Sequence, residues 1–132
     1  MTKLYTLTII LLASLWSCKS LSQTNLESTI EDYQQEILGI WVLETDSETK
    51  MEFLDNGTIN HYYGNQLRLS ENYEITETCD GETQGNGTYF LKSFSNANDF
   101  FCSYIEGLNY EGSNIMSLMT KDQGKIVVYV RP

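Results

Sequence analysis

Few residues in this chain could carry out chemistry on a substrate. Its 132 residues include one histidine, His61, and three cysteines, Cys18, Cys79 and Cys102. A single imidazole without a Cys-x-x-Cys pair provides neither the spacing of a zinc site nor a redox motif. Without a second histidine the chain also lacks a metallohydrolase signature. The sequence therefore predicts a protein that is not an enzyme, with no catalytic residue, no metal site and no cofactor. His61 is expected at the surface or rim of its strand.

The many carboxylates set the overall charge of the chain. Asp and Glu number 18 against 8 Lys and Arg, which gives a formal net charge of −10 at pH 7. With so many acids, neighbouring carboxylates are expected by chance, so a solvated acidic surface is the simplest interpretation. Such a chain repels phosphate backbones and anionic membrane surfaces. We therefore expect no nucleic-acid partner.

The first 17 residues are typical of an export signal. Lys3 forms a short basic region, and a nearly uncharged apolar run of about a dozen residues follows it. A helix that spans a bilayer needs about 20 apolar residues, so a cleaved signal fits better than a membrane anchor or a buried helix. Residues 1–17 are predicted to be a signal peptide, and the remainder is expected to fold outside the cytoplasm.

The end of this segment, Leu15-Trp16-Ser17-Cys18, resembles the lipobox of bacterial lipoproteins. The aliphatic residue three positions before the cysteine and the small residue just before it match the pattern, whereas Trp16 departs from it. The resemblance implies that Cys18 is lipidated, so that the exported protein is anchored to a bacterial envelope membrane, on the periplasmic face or the cell surface. An ordinary secreted protein that starts near Lys19 is the alternative.

If Cys18 carries lipid, the other two cysteines form an even pair in an exported domain. A disulfide between Cys79 and Cys102 is then the expected state. It would close a loop of about 24 residues and stabilise the fold by about 3 kcal/mol in the chain-entropy model.

A helical pattern follows the short polar segment that comes after the lipobox. Four apolar residues recur at helical spacing and predict a helix over 24–38. They are Leu26, Ile30, Tyr33 and Ile37. Thr24 with Glu27 has the form of a capping box, and Gly39 stands where a C-terminal cap would. Because the polar residues of this segment are acidic, we expect the helix to cap the following domain rather than to bind a membrane surface.

After the helix the hydrophobic period changes to two. Eight segments rich in β-branched and aromatic residues are separated by links of Gly, Asn, Asp and Ser. They cover residues 40–44, 50–54, 58–63, 67–78, 87–94, 99–107, 114–119 and 125–130. Asn56-Gly57 predicts a type I′ hairpin turn, and Asn86-Gly87 indicates a second hairpin turn. The sequence thus predicts an all-β domain over 25–132, behind a polar tether, 18–24. Its fold is an antiparallel meander barrel of about eight strands, preceded by one short N-terminal helix. A sandwich is the alternative.

The predicted strands do not bring the two cysteines together. A strict meander places Cys79 and Cys102 several residues apart along the barrel axis, farther than the roughly 7 Å between Cα atoms that a disulfide allows. Either the segment 79–86 folds over the barrel wall, or the strand boundaries differ by several residues. We keep the disulfide as the prediction, because element boundaries are less well determined by sequence.

The opening of this domain resembles the small lipocalin-like lipoproteins of bacterial envelopes. Those chains begin with Gly-x-Trp, here Gly39-Ile40-Trp41, and continue with a Phe-x-x-Asp/Asn-Gly-Thr hairpin, here residues 53–58. The similarity covers about residues 38–131. It implies that Trp41 packs across the closed end of the barrel and that Gly39 lets the chain enter beneath it. Both residues are therefore expected to be structural.

The resemblance also implies a barrel interior that is open at one end and binds a small hydrophobic or amphipathic ligand. Strand alternation suggests seven candidate ligand-binding residues. They are Met51, Phe53, Tyr62, Tyr73, Ile75, Tyr89 and Tyr104. The ligand would be held by apolar burial, with tyrosine hydroxyls fixing its orientation. The alternative is a filled barrel that serves as a protein-interaction module, an envelope protease inhibitor or scaffold with an unknown partner. An internal cavity of a few hundred Å³ would favour the binder, and a filled interior with an exposed aromatic rim would favour the module.

Overall fold

The structure is a computed structural model that describes residues 27–132. The predicted signal peptide 1–17, the lipid site Cys18 and the tether 18–24 lie outside these residues. Within them, one short helix precedes eight antiparallel strands in a closed ring, which confirms the predicted all-β barrel. The elements are α1 (Ile30–Glu36), β1 (Gly39–Leu43), β2 (Asp46–Phe53), β3 (Thr58–Tyr63), β4 (Gln66–Thr76), β5 (Thr78–Cys79), β6 (Glu82–Thr83), β7 (Phe90–Asn96), β8 (Asp99–Leu108), a 3₁₀ turn (Tyr110–Gly112), β9 (Ile115–Thr120) and β10 (Ile126–Val130).

The ring follows chain order apart from one excursion. Its order is β1-β10-β9-β8-β7-β4-β3-β2, and β1 closes it by pairing with β10 through Val42 opposite Val130. β5 and β6 form a separate two-stranded hairpin between β4 and β7. The eight-strand meander is therefore confirmed. The sequence analysis gave the folding of residues 79–86 over the barrel wall as one of two alternatives, but it did not predict that this segment forms a hairpin.

The helix is shorter than predicted and begins later. Glu27 to Thr29 are not helical, and Thr29 and Asp32 form a capping box at the start of α1. Thr24, the cap residue predicted from the sequence, lies outside the described residues. The Thr29 amide donates to Asp32 Oδ2 at 2.7 Å, and the Asp32 amide donates to Thr29 Oγ1 at 3.3 Å. These reciprocal bonds satisfy two free amides of the first turn and hold the pKa of Asp32 below its usual value. The helix therefore starts at the second of two similar sequence patterns.

The helix closes one end of the barrel. Ile37 and Trp41 are fully buried, and Ile30 and Tyr33 pack against the same core, as the helical spacing predicted. The Trp41 indole donates to the Ile37 carbonyl at 2.7 Å, and the Arg131 guanidinium lies 4.4 Å from the indole centroid. We call this end, where the first strand begins, the closed end.

Gly39 does not cap the helix, as the sequence pattern had suggested. Ile37 is the C-cap, and Gly39 is the first residue of β1 with a φ of +103°. That conformation strongly favours glycine, and nothing lies within 4 Å of where a Cβ would be. Backbone conformation rather than crowding is thus what requires glycine at the entry to the barrel.

The turn at Asn56-Gly57 joins two strands as predicted, but its type differs. Only Gly57 has a positive φ, and its amide donates to the Leu54 carbonyl at 3.2 Å. This is the three-residue loop that ends in a left-handed glycine, not the two-residue type I′ turn. Asn86 and Gly87 both have positive φ but do not connect paired strands, since β7 begins later and pairs with β4. The second predicted hairpin is therefore wrong.

The excursion between β4 and β7 explains the cysteine pair. We call β5, β6 and the Asp80-Gly81 turn between them the flap; both turn residues have positive φ, as a type I′ hairpin requires. The flap folds over the outer wall of the barrel, and Cys79 forms the predicted disulfide with Cys102 of β8, with 6.1 Å between their Cα atoms. Phe90 is buried beside it. The predicted strand boundaries 67–78 and 87–94 were wrong at this point, since the strands are Gln66–Thr76 and Phe90–Asn96.

Candidate functional site

The barrel is filled in its closed half and hollow in the other. The filled half holds Phe53, Ile75 and Met116, packed beneath Trp41. Beyond them lies a cavity of about 300 Å³, lined from seven of the eight barrel strands. Its lining residues are Met51, Ile59, His61, Glu71, Leu91, Ser93, Phe101, Ser103, Leu118, Thr120, Val127 and Tyr129. Phe101 lines the cavity and is 46% exposed, so the cavity opens at the end of the barrel opposite the helix, which we call the mouth.

The apolar part of the lining is buried and lies on barrel strands. Met51, Ile59, Leu91 and Leu118 are each less than one-tenth exposed and belong to the same core as the closed half. They come from four different strands, so the pleat of the ring rather than a loop fixes their positions. A ligand would therefore enter a preformed apolar surface.

One ionisable pair lies in the wall of this cavity. His61 Nε2 and Glu71 Oε1 are 2.9 Å apart across the neighbouring strands β3 and β4. The side chain of Glu71 is only 15% exposed, and that of His61 is 31% exposed. A carboxylate in an apolar wall needs a hydrogen-bond partner, and the imidazole supplies one. The pair gives the cavity a fixed polar point.

Small hydroxyl side chains lie on other strands of the wall. Ser93, Ser103 and Thr120 come from β7, β8 and β9, and Ser103 is directly paired with Thr120. Thr120 Oγ1 accepts from the Lys125 amide, whereas the Ser93 and Ser103 hydroxyls make no hydrogen bond within residues 27–132. Tyr129 also lines the cavity, and burial raises the pKa of its phenol. A largely apolar cavity thus carries a few polar groups, as small-molecule sites do.

The structure separates the seven residues predicted to bind a ligand. Met51 lines the cavity. Phe53, Tyr73 and Ile75 lie in the closed half, where the Phe53 and Tyr73 rings meet edge to face at 5.0 Å and the Tyr73 hydroxyl donates to the Leu54 carbonyl. Burial raises the pKa of Tyr73. These three residues form the floor beneath the cavity and do not reach its lining.

The remaining three tyrosines face other surroundings. Tyr89 packs edge to face against Tyr33 of the helix, and its hydroxyl donates to the Ser28 carbonyl at 3.0 Å. Tyr62 and Tyr104 lie on the outer face of the barrel. Tyr62 donates to Glu52 at 2.9 Å, and Tyr104 donates to Glu82 of the flap at 2.7 Å. These carboxylates raise the pKa of both phenols. None of the three residues lines the cavity.

Of the lining residues given above, sequence reasoning predicted only Met51 to bind a ligand, and the most consequential omissions are His61 and Glu71. His61 was expected at a surface or rim, and Glu71 was not singled out. The signal was present in the alternation, because His61 is two residues from the inward-facing Ile59 and Glu71 is two residues from the inward-facing Tyr73. Extending the period of two along each strand would have placed both in the interior.

Within residues 27–132 no helix is both long and apolar enough to cross a bilayer. The same part of the chain contains no cluster of three or more His, Cys, Asp or Glu side chains arranged to hold a metal ion. Comparison with known protein families, with curated proteins and with solved structures finds no match to this chain.

Proposed function

We propose that this protein binds a small, largely apolar ligand inside its barrel. The observation that carries the proposal is the cavity of about 300 Å³, whose apolar walls are preformed and whose polar point is the His61–Glu71 pair. Small-molecule sites combine such apolar walls with a few fixed polar groups, and their volumes start at about this size. The proposal includes no catalytic step.

A binding assay with a neutral apolar dye tests this proposal. N-phenyl-1-naphthylamine becomes strongly fluorescent in apolar surroundings, and we expect saturable enhancement with the purified full chain. Leu118→Trp places a large ring in the cavity and should abolish the enhancement. Ile40→Trp makes the matched change at an exposed position on the outer wall and should leave it intact.

A second variant covers the case in which Leu118→Trp disturbs folding. Ser103→Leu is a milder way to fill the same cavity and should weaken dye binding in proportion to the volume it occupies. Circular dichroism of each variant reports whether the strands have formed. The absence of saturable binding by the wild-type chain, or equal loss in Leu118→Trp and Ile40→Trp, contradicts the proposal.

A protein-interaction module is the second candidate. It is favoured by large apolar side chains that are exposed around the mouth and on its outer edge. They are Tyr63, Leu67, Leu69, Phe100, Phe101 and Ile126. Patches of this kind mark contact surfaces. Cross-linking in the native envelope through Leu67→Cys would capture a partner if the mouth is a docking surface, and the same cysteine at Ile40 should not.

We also propose that the protein is an exported, lipid-anchored protein of a bacterial envelope, of the lipocalin-like class that its motifs resemble. Three features support this proposal: the apolar run within residues 1–17, the lipobox ending at Cys18 and the disulfide in the domain. Mass spectrometry of protein from the native envelope should find acyl chains on Cys18. A Cys18→Ala variant should appear in the soluble fraction, and its retention on membranes would contradict the anchor.

A further inference from the structure

We infer that the cavity prefers ligands whose polar end is a hydrogen-bond donor, above all a protonated amine, and disfavours carboxylates. The inference rests on the proposed binding function and specifies the chemistry of its ligand. It is carried by the geometry of the His61–Glu71 pair and by the other groups that line the cavity.

The pair presents acceptors to the cavity. An ionised carboxylate can only accept, so the hydrogen between Glu71 Oε1 and His61 Nε2 lies on the imidazole nitrogen. In the neutral ring this leaves Nδ1 without a hydrogen, and it too can only accept. The second oxygen of Glu71 makes no hydrogen bond within residues 27–132. An ammonium group carries three donors and can satisfy acceptors of this kind, whereas a carboxylate has none to offer.

Among the described residues, the lining offers an anionic ligand no unpaired cation, because the imidazole of His61 is already hydrogen-bonded to Glu71. No lysine or arginine lines the cavity in the part of the chain that the structure describes. Lys92 belongs to a strand of the cavity wall, but its side chain lies on the outer face and pairs with Glu74 at 3.0 Å. A carboxylate head would therefore be desolvated beside Glu71 without a fixed opposite charge, which is costly. The formal net charge of −10 adds to the same preference.

This inference can be tested with three probes that share an octyl chain and differ in their polar head group. In the experiment, octylamine, octanol and octanoate are each titrated against the complex of the full chain with N-phenyl-1-naphthylamine at physiological ionic strength, and displacement of the dye is measured. We expect octylamine to compete best and octanoate worst, with about a tenfold or greater difference between the two because a fixed charge pair in a partly desolvated site contributes at least that factor.

A pair of variants separates the local group from the overall charge. Glu71→Gln removes the carboxylate from the cavity and should reduce the preference for amine over octanoate to near unity. Glu74→Gln, three residues along the same strand, removes one equal charge from the outer face and should keep the wild-type preference. Glu74→Gln should bind the neutral dye as the wild type does, and the competition measured with Glu71→Gln is referred to that variant's own dye affinity.

The outcomes distinguish a failure of the binding function from a failure of the preference for amines. Failure of the dye to bind at all overturns the binding function itself. Dye binding with equal competition by octylamine and octanoate, or with octanoate preferred, overturns this inference and leaves the binding function standing. A preference for amine that survives Glu71→Gln also overturns it. If Glu71→Gln does not fold, the three probes are compared on the wild type at low and at high salt. A preference for amine that disappears at high salt comes from the overall charge and overturns the inference.

Discussion

Tyrosine is used in three different ways in this small domain. Tyr62 donates to Glu52 of the neighbouring strand, and Tyr104 donates to Glu82 of the flap. These hydrogen bonds raise the pKa of both phenols. Tyr73 anchors the floor of the barrel through a backbone carbonyl. Tyr129 lies in the cavity wall, where desolvation alone raises its pKa. Sequence reasoning chose other tyrosines as candidate ligand contacts, whereas Tyr129, which it did not choose, lines the cavity.

The buried phenols predict a loss of stability at high pH. A raised folded-state pKa means that stability is complete below the unfolded value of about 10 and is lost as the pH rises through the folded value. Urea unfolding between about pH 9 and about pH 11 should show this decline. Tyr129→Phe should make the decline shallower, whereas Tyr110→Phe, at a position that is 76% exposed, should not. An identical decline in the wild type and in Tyr129→Phe would contradict the assignment.

The helix depends on its N-terminal cap because it is only seven residues long. Isolated helices of this length are not stable, so its stability comes from the capping box and from packing against the closed end. The Thr29 hydroxyl and the Asp32 carboxylate form the box. The cap thus supports the element that seals the barrel.

Loss of the cap should be measurable as a change in global stability. Thr29→Ala removes the hydroxyl that accepts from the Asp32 amide, and we expect unfolding to become easier by about 1 kcal/mol. Thr29→Ser keeps the hydroxyl and is the matched control, with little expected change. Urea denaturation provides the measurement. Equal destabilisation by both substitutions would show that the methyl group, not the cap, matters.

The flap fastens the outer wall without touching the cavity. Its disulfide joins Cys79 to β8 across a sequence separation of 23, and Lys121 pairs with Asp80 at 2.9 Å next to it. Replacing both cysteines with alanine should cost about 3 kcal/mol of stability. Dye binding should persist in the folded double variant, because neither cysteine lines the cavity. Loss of dye binding in protein that is still folded would instead make the flap part of the site.

At the scale of the whole molecule, the ring could be predicted and the cavity could not. Alternating apolar residues and turn residues determine eight strands, because each strand must bury one face. The flap was missed since its strands have two residues each, too few for a period to show. Whether a barrel is hollow depends on the volumes of its inward side chains. Here the inward side chains of Ser93, Ser103 and Thr120 are small and leave a cavity. The aromatic rings in the closed half of the barrel do not extend into it.

The chain enters the domain at the sealed end of the barrel, where Tyr89 holds Ser28. An acyl group on Cys18 would therefore tie down the side of the molecule that lies opposite its opening. Cargo would then be exchanged with the aqueous space or with a soluble donor facing the envelope surface, rather than drawn from the leaflet in which the protein is tethered. With such an anchor, the mouth of the barrel would face away from the membrane that holds the protein.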